Sequence, residues 1–439
     1  MIARLLSCLA LLVVSLSASP ALAQSIKIRV AGSADVPLAA PKVQLITETG
    51  QGEAEQMWDA LWTDLSMSGY FKMLDPKGYV EKGKGVEPGA FDFDAWRLID
   101  TTVLVKTRMY GLGHAACDRG GKRICVDVFV YNAETGDQLS SKQYRGVPRA
   151  ARYLGHAMAN HVIEVTTGTA GWFGTRFTAV GSQSGNKEIY VMDSDGQNVL
   201  AVTRNGAINL SPAFSPDSGE IAWTSYKKAN PDLYVKDLRT GQTRTLSNVK
   251  GVNTSPSFSP DGSLVAMSRS VGGESDIFLL DARSGNTIRQ LTRGGGIDVS
   301  PVFTLDGGSI VFASERGGGA QVYKVPVEGG SAKRLTFTGD FNIDPAISPD
   351  GKRFAFVGRS EGGFDVYVAD LTGRNVVRLT QGQGDNEDPT WTPDGRYVMF
   401  SSTRTGRSEL WVSTADGRHQ TQVTKGGGWT QPSWTFPAK

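Results

Sequence analysis

A repeat of about 44 residues occupies the C-terminal two-thirds of the chain and restricts its fold more than any other feature. One column of the repeat is a proline followed two residues on by an aromatic or aliphatic residue. It stands at Pro212, Pro256, Pro301, Pro345, Pro389 and Pro432, spaced 44, 45, 44, 44 and 43 apart, and a Ser/Thr-Pro-Asp-Gly turn usually follows. A second column is an acidic or amide residue opening a short β run: Glu188, Asp232, Asp276, Gln321, Asp365 and Glu409. A third is a Leu-Thr-like ending, at Val202-Thr203, Leu246-Ser247, Leu291-Thr292, Leu335-Thr336, Leu379-Thr380 and Val423-Thr424. Three independent columns with one period exclude coincidence.

Each unit resolves into four short strands, in the second full unit about 257–259, 264–268, 276–281 and 288–291. The turns between them suit their residues: Pro fixes one φ, Asp bonds locally and Gly accepts φ > 0. Four strands per period describe a propeller blade. The last anchor, Pro432, opens an innermost strand that no further strands follow, while the unit 175–203 has three strands and no anchor before it. Together they predict one composite blade that closes a ring of six.

With 439 residues the chain exceeds one ordinary domain. Its net charge of +2 and lack of a basic run argue against nucleic acid as a partner. Residues 1–23 read as a signal peptide, with Arg4, an apolar run from Leu5 to Leu16 and Ala21-Leu22-Ala23 before the cut. The h-region is short for a membrane span and no later stretch approaches one, so no transmembrane segment is expected after cleavage. An exported, periplasmic or secreted location follows.

Residues 24–168 have a different grammar, that of a small α/β domain, which leaves 169–439 to the propeller and makes the whole an α+β multidomain chain. Strands are predicted at 26–30, 43–46, 102–106, 124–131 and 138–144, and helices at 52–67 and 150–165. The Gly-, Lys- and Glu-rich stretch 76–91 reads as an exposed loop. Cys117 and Cys125 flank a turn between two β runs, and in an exported chain a hairpin-bridging disulfide is the natural reading. His114 lies nearby, but one His and two Cys fall a ligand short of a closed zinc centre.

The combination of leader, small α/β domain and propeller resembles the TolB family of the Tol–Pal system of Gram-negative envelopes. The domain junction carries the most specific likeness: Arg152-Tyr153-Leu154-Gly155-His156, then Thr167-Gly168, Gly171, Phe173 and Thr175-Arg176, against the pattern R-x-x-G-H … T-G-x-x-G-x-F-x-T-R. The resemblance implies a monomeric periplasmic scaffold without cofactor. Its propeller mouth would receive a Pal-type peptidoglycan-associated lipoprotein. Its mature N-terminal strand, here within Gln24 to about Pro37, would contact TolA. The system it implies maintains outer-membrane integrity and invagination at division.

The repeat supplies its own candidate site. The residues before each anchor proline enter the innermost strands together and ring one mouth of the channel. They are Asn209-Leu210-Ser211, Asn253-Thr254-Ser255, Asp298-Val299-Ser300, Asn342-Ile343-Asp344, Asn386-Glu387-Asp388 and Trp429-Thr430-Gln431. The Asn/Asp and Ser/Asp positions equally suit turn capping and bonds between blades. The middle residues and Trp429 are not required by a turn and are the stronger binding candidates. Asp344, Glu387 and Asp388 also offer the oxygen ligands a cation such as calcium takes, although no metal centre is assigned.

Catalysis has one sequence candidate, the string Gly358-Arg359-Ser360-Glu361-Gly362. A nucleophile elbow needs a strand–turn–helix setting with Asp and His nearby, whereas this string falls in a hairpin loop of a blade. A non-enzymatic scaffold is the expectation. The alternative is a propeller that binds another peptide or a glycan without Tol–Pal partners.

Overall fold

The computed structural model describes residues 35–80, 85–118, 120–294 and 296–434. The leader, the strand expected at 26–30 and most of the expected TolA-contacting segment lie outside them.

The N-terminal domain is a mixed sheet with its two long helices on one face. Its strands and helices are β1 (Val36–Ala39), β2 (Gln44–Leu45), α1 (Gln51–Met67), β3 (Phe71–Met73), α2 (Phe93–Arg97), β4 (Val103–Tyr110), β5 (Ile124–Asn132), β6 (Gln138–Gly146) and α3 (Ala151–Thr167). The order is β3-β1-β4-β5-β6, with β1 parallel to both neighbours and β2 pairing further along β4. Val36 and Pro37 pair with Phe71 and Lys72, so the end of the expected TolA-contacting segment is sheet, not a free arm.

Helix α1 places Met57, Leu61 and Leu65 on one stripe and α3 places Leu154, Met158 and Val162 on another, and both stripes pack on Val103, Val105, Val126 and Val128. The helices cross at Gly155, where a Cβ would lie 2.4 Å from the Met57 carbonyl oxygen. That contact explains a glycine inside a helix, where it otherwise costs about 1 kcal/mol.

The stretch 76–91 departs from its expected role as an exposed loop. Tyr79, Val86 and Phe91 are buried and, with Trp96 of α2, cover Leu104, Phe129 and Tyr131 on the second face of the sheet. The Tyr131 hydroxyl donates to the Val86 carbonyl at 2.6 Å, which fixes this cover. Cys117 and Cys125 are joined by a disulfide, with Cα atoms 5.5 Å apart, and pack on Tyr110.

Six four-stranded antiparallel sheets then form the propeller. The innermost strands are Asn209–Phe214, Asn253–Phe258, Asp298–Phe303, Asn342–Ile347 and Asn386–Trp391 for blades 1 to 5, and Thr430–Trp434 for blade 6. Blade 6 is the composite: Thr430–Trp434 pairs with Arg176–Gly181, which continues to Glu188–Asp193 and Leu200–Ala201.

The domains meet at the Pro-Asp-Gly end of blades 5 and 6. Trp172 is buried against Tyr397 and Trp434, at ring-centroid distances of 5.7 and 5.3 Å. The Tyr397 hydroxyl donates to the Ser68 carbonyl at 2.5 Å, and the Arg396 guanidinium donates to Tyr70, Thr169 and the Ala170 carbonyl. The apolar core under the helices runs through this junction into blades 5 and 6. The expected binding mouth lies at the opposite end of the innermost strands, facing away from the N-terminal domain.

Candidate partner-binding site

In blades 3, 4 and 6 the second and third repeat columns join the Asn three residues before the next anchor proline in one hydrogen-bonded unit. In blade 4, Asp365 Oδ1 accepts from Thr380 Oγ1 at 2.7 Å and from Asn386 Nδ2 of blade 5 at 3.3 Å. Gln321 accepts from Thr336 and Asn342 in the same way, at 2.7 and 3.0 Å, and Glu188 from Thr203 and, at 2.9 Å, Asn209. The Thr hydroxyl oxygen also accepts the backbone N–H after the second column, as at Val366 (3.0 Å). Each unit satisfies buried polar groups and ties a blade to the next, so a change in spacing would orphan several groups at once.

This assigns the first position of the candidate site to structure. Asn209, Asn253, Asp298, Asn342 and Asn386 are buried, and their side chains are committed within and between blades. Trp429, expected at the rim, is also buried: it packs edge-on to Tyr190 at 5.2 Å and lies over Gly181 and Gly427. These six residues are buried in the wall of the mouth.

The other two positions remain in the channel wall, half-buried. Ser211, Ser255, Ser300, Asp344, Asp388 and Gln431 each stand just before the anchor proline at φ between 49° and 54°. The register of the innermost pair shifts there in every blade. A non-glycine residue in the left-handed region costs on the order of 1–3 kcal/mol, and such residues gather at binding sites that their surroundings over-determine.

The ring of side chains is cross-linked. Gln431 Oε1 accepts from the Ser211 N–H at 2.8 Å, Asp388 Oδ2 from the Gln431 N–H at 3.1 Å and from Ser401 Oγ at 2.8 Å, and Asp344 Oδ1 from Ser300 Oγ at 2.7 Å. Thr254 accepts from Thr224 at 3.2 Å, and Leu210, Val299 and Ile343 are the apolar members of the middle column.

Negative charge is concentrated in blades 4 and 5. Burial, then the neighbouring Asp388, pushes the Asp344 carboxyl up to about 6. Burial, then Asp388, Asp385 and Asp344, pushes Glu387 up to about 7. Asp388 is also raised by burial, against its bonds to Ser401 and Gln431 and the charge of Lys187. The carboxylates expected to suit a cation do not converge. Among the described residues, the trio of His, Cys, Asp or Glu whose ligand atoms lie within 4.8 Å of one another is Asp64, His156 and Asp195.

That trio is a site the sequence reading missed. His156 Nδ1 meets Asp64 Oδ2 at 2.6 Å, and Arg152 pairs with Asp195 of blade 6, all of it largely buried at the domain junction. Burial pushes Asp64 up to about 6, opposed by the hydrogen bond to His156. The Arg152–His156 spacing of four, one face of a helix, was its sequence signal. Ser360, the candidate nucleophile, ends a strand and donates to Asp365 Oδ2 at 2.7 Å, and Gly363–Asp370 follows as the next strand of the hairpin.

A closed six-bladed propeller with a strained, polar-lined mouth, carried on a small mixed-sheet domain, defines a class of two-domain propeller proteins. The family follows from comparison: residues 24–137 match the TolB amino-terminal domain and residues 163–437 the TolB beta propeller domain, and the chain belongs to the TolB family. The Tol-Pal system proteins TolB of Geobacter sulfurreducens and Syntrophotalea carbinolica are similar at 36% identity over 38% of this chain and 35% over 47%. Those alignments span 37% and 46% of the relatives' own lengths. The crystal structure of TolB from Acinetobacter baumannii matches 92% of this chain and 97% of its own, with a TM-score of 0.78 and 26% identity. No helix among the described residues is long and apolar enough to cross a membrane.

Proposed function

We propose that this protein is a periplasmic scaffold of the Tol–Pal system. The propeller mouth receives a Pal-type peptidoglycan-associated lipoprotein, and the segment from Gln24 to residue 34 engages TolA. The assembly serves outer-membrane integrity and invagination at division. The observation that carries the reading is the mouth itself: six left-handed residues before six prolines, held in place by ring closure. Such strain presents a preformed surface, which lowers the ordering cost of binding. The carboxylates there suit a cationic group.

The test is binding of the soluble domain of the Pal-type lipoprotein from the same genome. Asp344→Lys with Asp388→Lys should weaken binding at least tenfold while the fold, read by circular dichroism, is retained. Unchanged affinity would refute the assignment of the mouth. Deleting residues 24–34 should abolish retention of TolA and leave retention of the lipoprotein intact.

A further inference from the structure

In blades 1, 2, 3 and 5 the residue three before the anchor proline has its side-chain oxygen claimed by a donor, and a cation covers the ring beside it. Asp298 Oδ2 of blade 3 accepts from Arg316 at 2.7 Å, and that guanidinium lies 5.1 and 5.3 Å from the Phe312 and Tyr323 rings. Asn386 Oδ1 of blade 5 accepts from Arg404 at 2.9 Å, with the guanidinium 4.4 Å from the Trp411 ring and 5.5 Å from Phe400. In blade 2 Arg269 lies over Phe278 at 4.6 Å and reaches Asn253 Oδ1 through the Ser247 hydroxyl. In blade 1 Asn209 Oδ1 accepts from Trp223 at 3.2 Å, and Lys227 covers Tyr234 at 3.6 Å.

Blade 4 has the same rings and the same asparagine without the cation. Phe356 and Tyr367 stack at 5.4 Å, in the register of Phe400 and Trp411. Asn342 is 3% exposed, and its Nδ2 donates to Gln321 Oε1 at 3.0 Å and to the Thr338 carbonyl at 2.9 Å, which fixes the oxygen as its other end. That Oδ1 accepts no hydrogen bond from the described residues. Where blade 5 has Ser402 and Arg404, blade 4 has Gly358 and Ser360, and a Cβ at Gly358 would lie 3.0 Å from Asn342 Oδ1. Ser360 turns to Asp365, and Arg359 lies over Phe341 beside Asp340. Arg378, 5.9 Å from the Tyr367 ring, is committed to Asp365 and the Thr380 carbonyl. The space that a guanidinium fills in blades 3 and 5 is here a cavity of about 80 Å³ between blades 3 and 4, lined by Asn342, Phe356, Gly358, Tyr367 and Phe337. The channel residues Ile343 and Asp344 are not among its walls, so it lies behind the innermost strand and apart from the mouth.

We infer that this cavity is a binding site for the guanidinium group of a ligand. The two rings attract a cation laid over them, and Asn342 Oδ1 is the acceptor that a charged N–H donor uses best. An anion would meet the lone oxygen, and an aliphatic group would leave it buried and unsatisfied. One water needs only about 10–15 Å³ of such space, so water at Oδ1 would leave most of the apolar cavity unfilled. Free arginine and an arginine within a peptide both carry the group.

The experiment titrates methylguanidinium, L-arginine and the peptide Gly-Arg-Gly into the mature protein by calorimetry, with methylurea as the neutral isostere. Methylguanidinium should saturate one site and bind at least about fivefold more tightly than methylurea. Tighter binding of L-arginine than of the peptide assigns the site to a free small molecule, and the reverse assigns it to a peptide side chain. Tyr367→Leu keeps apolar volume and removes the ring, and it should weaken methylguanidinium binding at least about tenfold while melting near the wild type. Crystals soaked in methylguanidinium should show it beside Asn342, a readout that holds even if Tyr367→Leu does not fold. The site is overturned by absence of saturable binding, by equal affinity for methylurea, by density elsewhere, or by a folded Tyr367→Leu that binds within twofold of the wild type. The Tol–Pal reading stands or falls independently of these results.

Discussion

Trp429 tests whether its column is wall or contact surface, and the structure gives the magnitudes. The indole fills space left by Gly181: a Cβ there would lie 2.5 Å from Cζ3, 2.8 Å from Cε3 and 3.0 Å from Cη2. Gly181 sits in a regular strand with ordinary φ, so alanine meets no backbone obstacle, only the ring. Gly181→Ala should therefore cost about 1–3 kcal/mol by overpacking. Trp429→Ala should cost about 3–5 kcal/mol by leaving a cavity between blades 5 and 6. Phenylalanine lacks the part of the ring that the new methyl would strike. Trp429→Phe combined with Gly181→Ala should thus be more stable than the sum of the single changes by at least about 1 kcal/mol. Urea unfolding of the four proteins, compared at constant slope, gives the cycle. Additive effects, or a neutral Gly181→Ala, would refute the packing argument. Trp429→Phe should bind the lipoprotein as the wild type does, and a tenfold loss in that folded variant would restore Trp429 to the contact surface.

The remaining predictions concern charge. Asp195→Ala strands the Arg152 guanidinium at the domain junction and should cost about 3–5 kcal/mol, much of it recovered in Arg152→Met/Asp195→Ala, as read by urea midpoints. The channel acids predict a pH dependence. Asp344 and Glu387 hold their protons more tightly folded than unfolded, so their contribution to stability is full below about pH 4. It falls away as pH rises through about 6 and then about 7. Asp344→Asn/Glu387→Gln should flatten the decline in urea midpoint between pH 5 and 8, and an unchanged slope would show that these carboxyls do not set it.

The sequence disclosed what is repeated and hid what is met once. Two of the columns were readable because in blades 3, 4 and 6 they form one hydrogen-bonded unit with an Asn from the next blade: an acid or amide, a hydroxyl, and that Asn. Losing any member orphans the others. Ring closure was readable from the register of its two ends. The burial of Trp429 was not legible because its partner Gly181 lies across the closure, where neither periodicity nor local spacing can reach. The cover formed by Tyr79, Val86 and Phe91 was missed for a related reason, since those residues follow no period. Its signal lay in the strands beneath, where Val103–Val105 and Ile124–Tyr131 are buried without alternation and so need both faces covered. Arg152 and His156 stood out as a pair, but Asp64 and Asp195, which give them meaning, lie 92 and 43 residues away in sequence.

The left-handed column could not be read for a deeper reason. A residue before proline is biased toward extended backbone, so Ser, Asp and Gln at that position signal a plain strand start. The bulge and the left-handed residue nevertheless recur at this place in all six innermost strands. This has a functional consequence. Gln431 of blade 6 links the mouth residues Ser211 and Asp388, and blade 6 is also where Asp195 and Trp434 meet Arg152 and Trp172. Loosening the pairing of Thr430–Trp434 with Arg176–Gly181 would therefore relax the mouth and the domain junction together, two sites at opposite ends of the same strands.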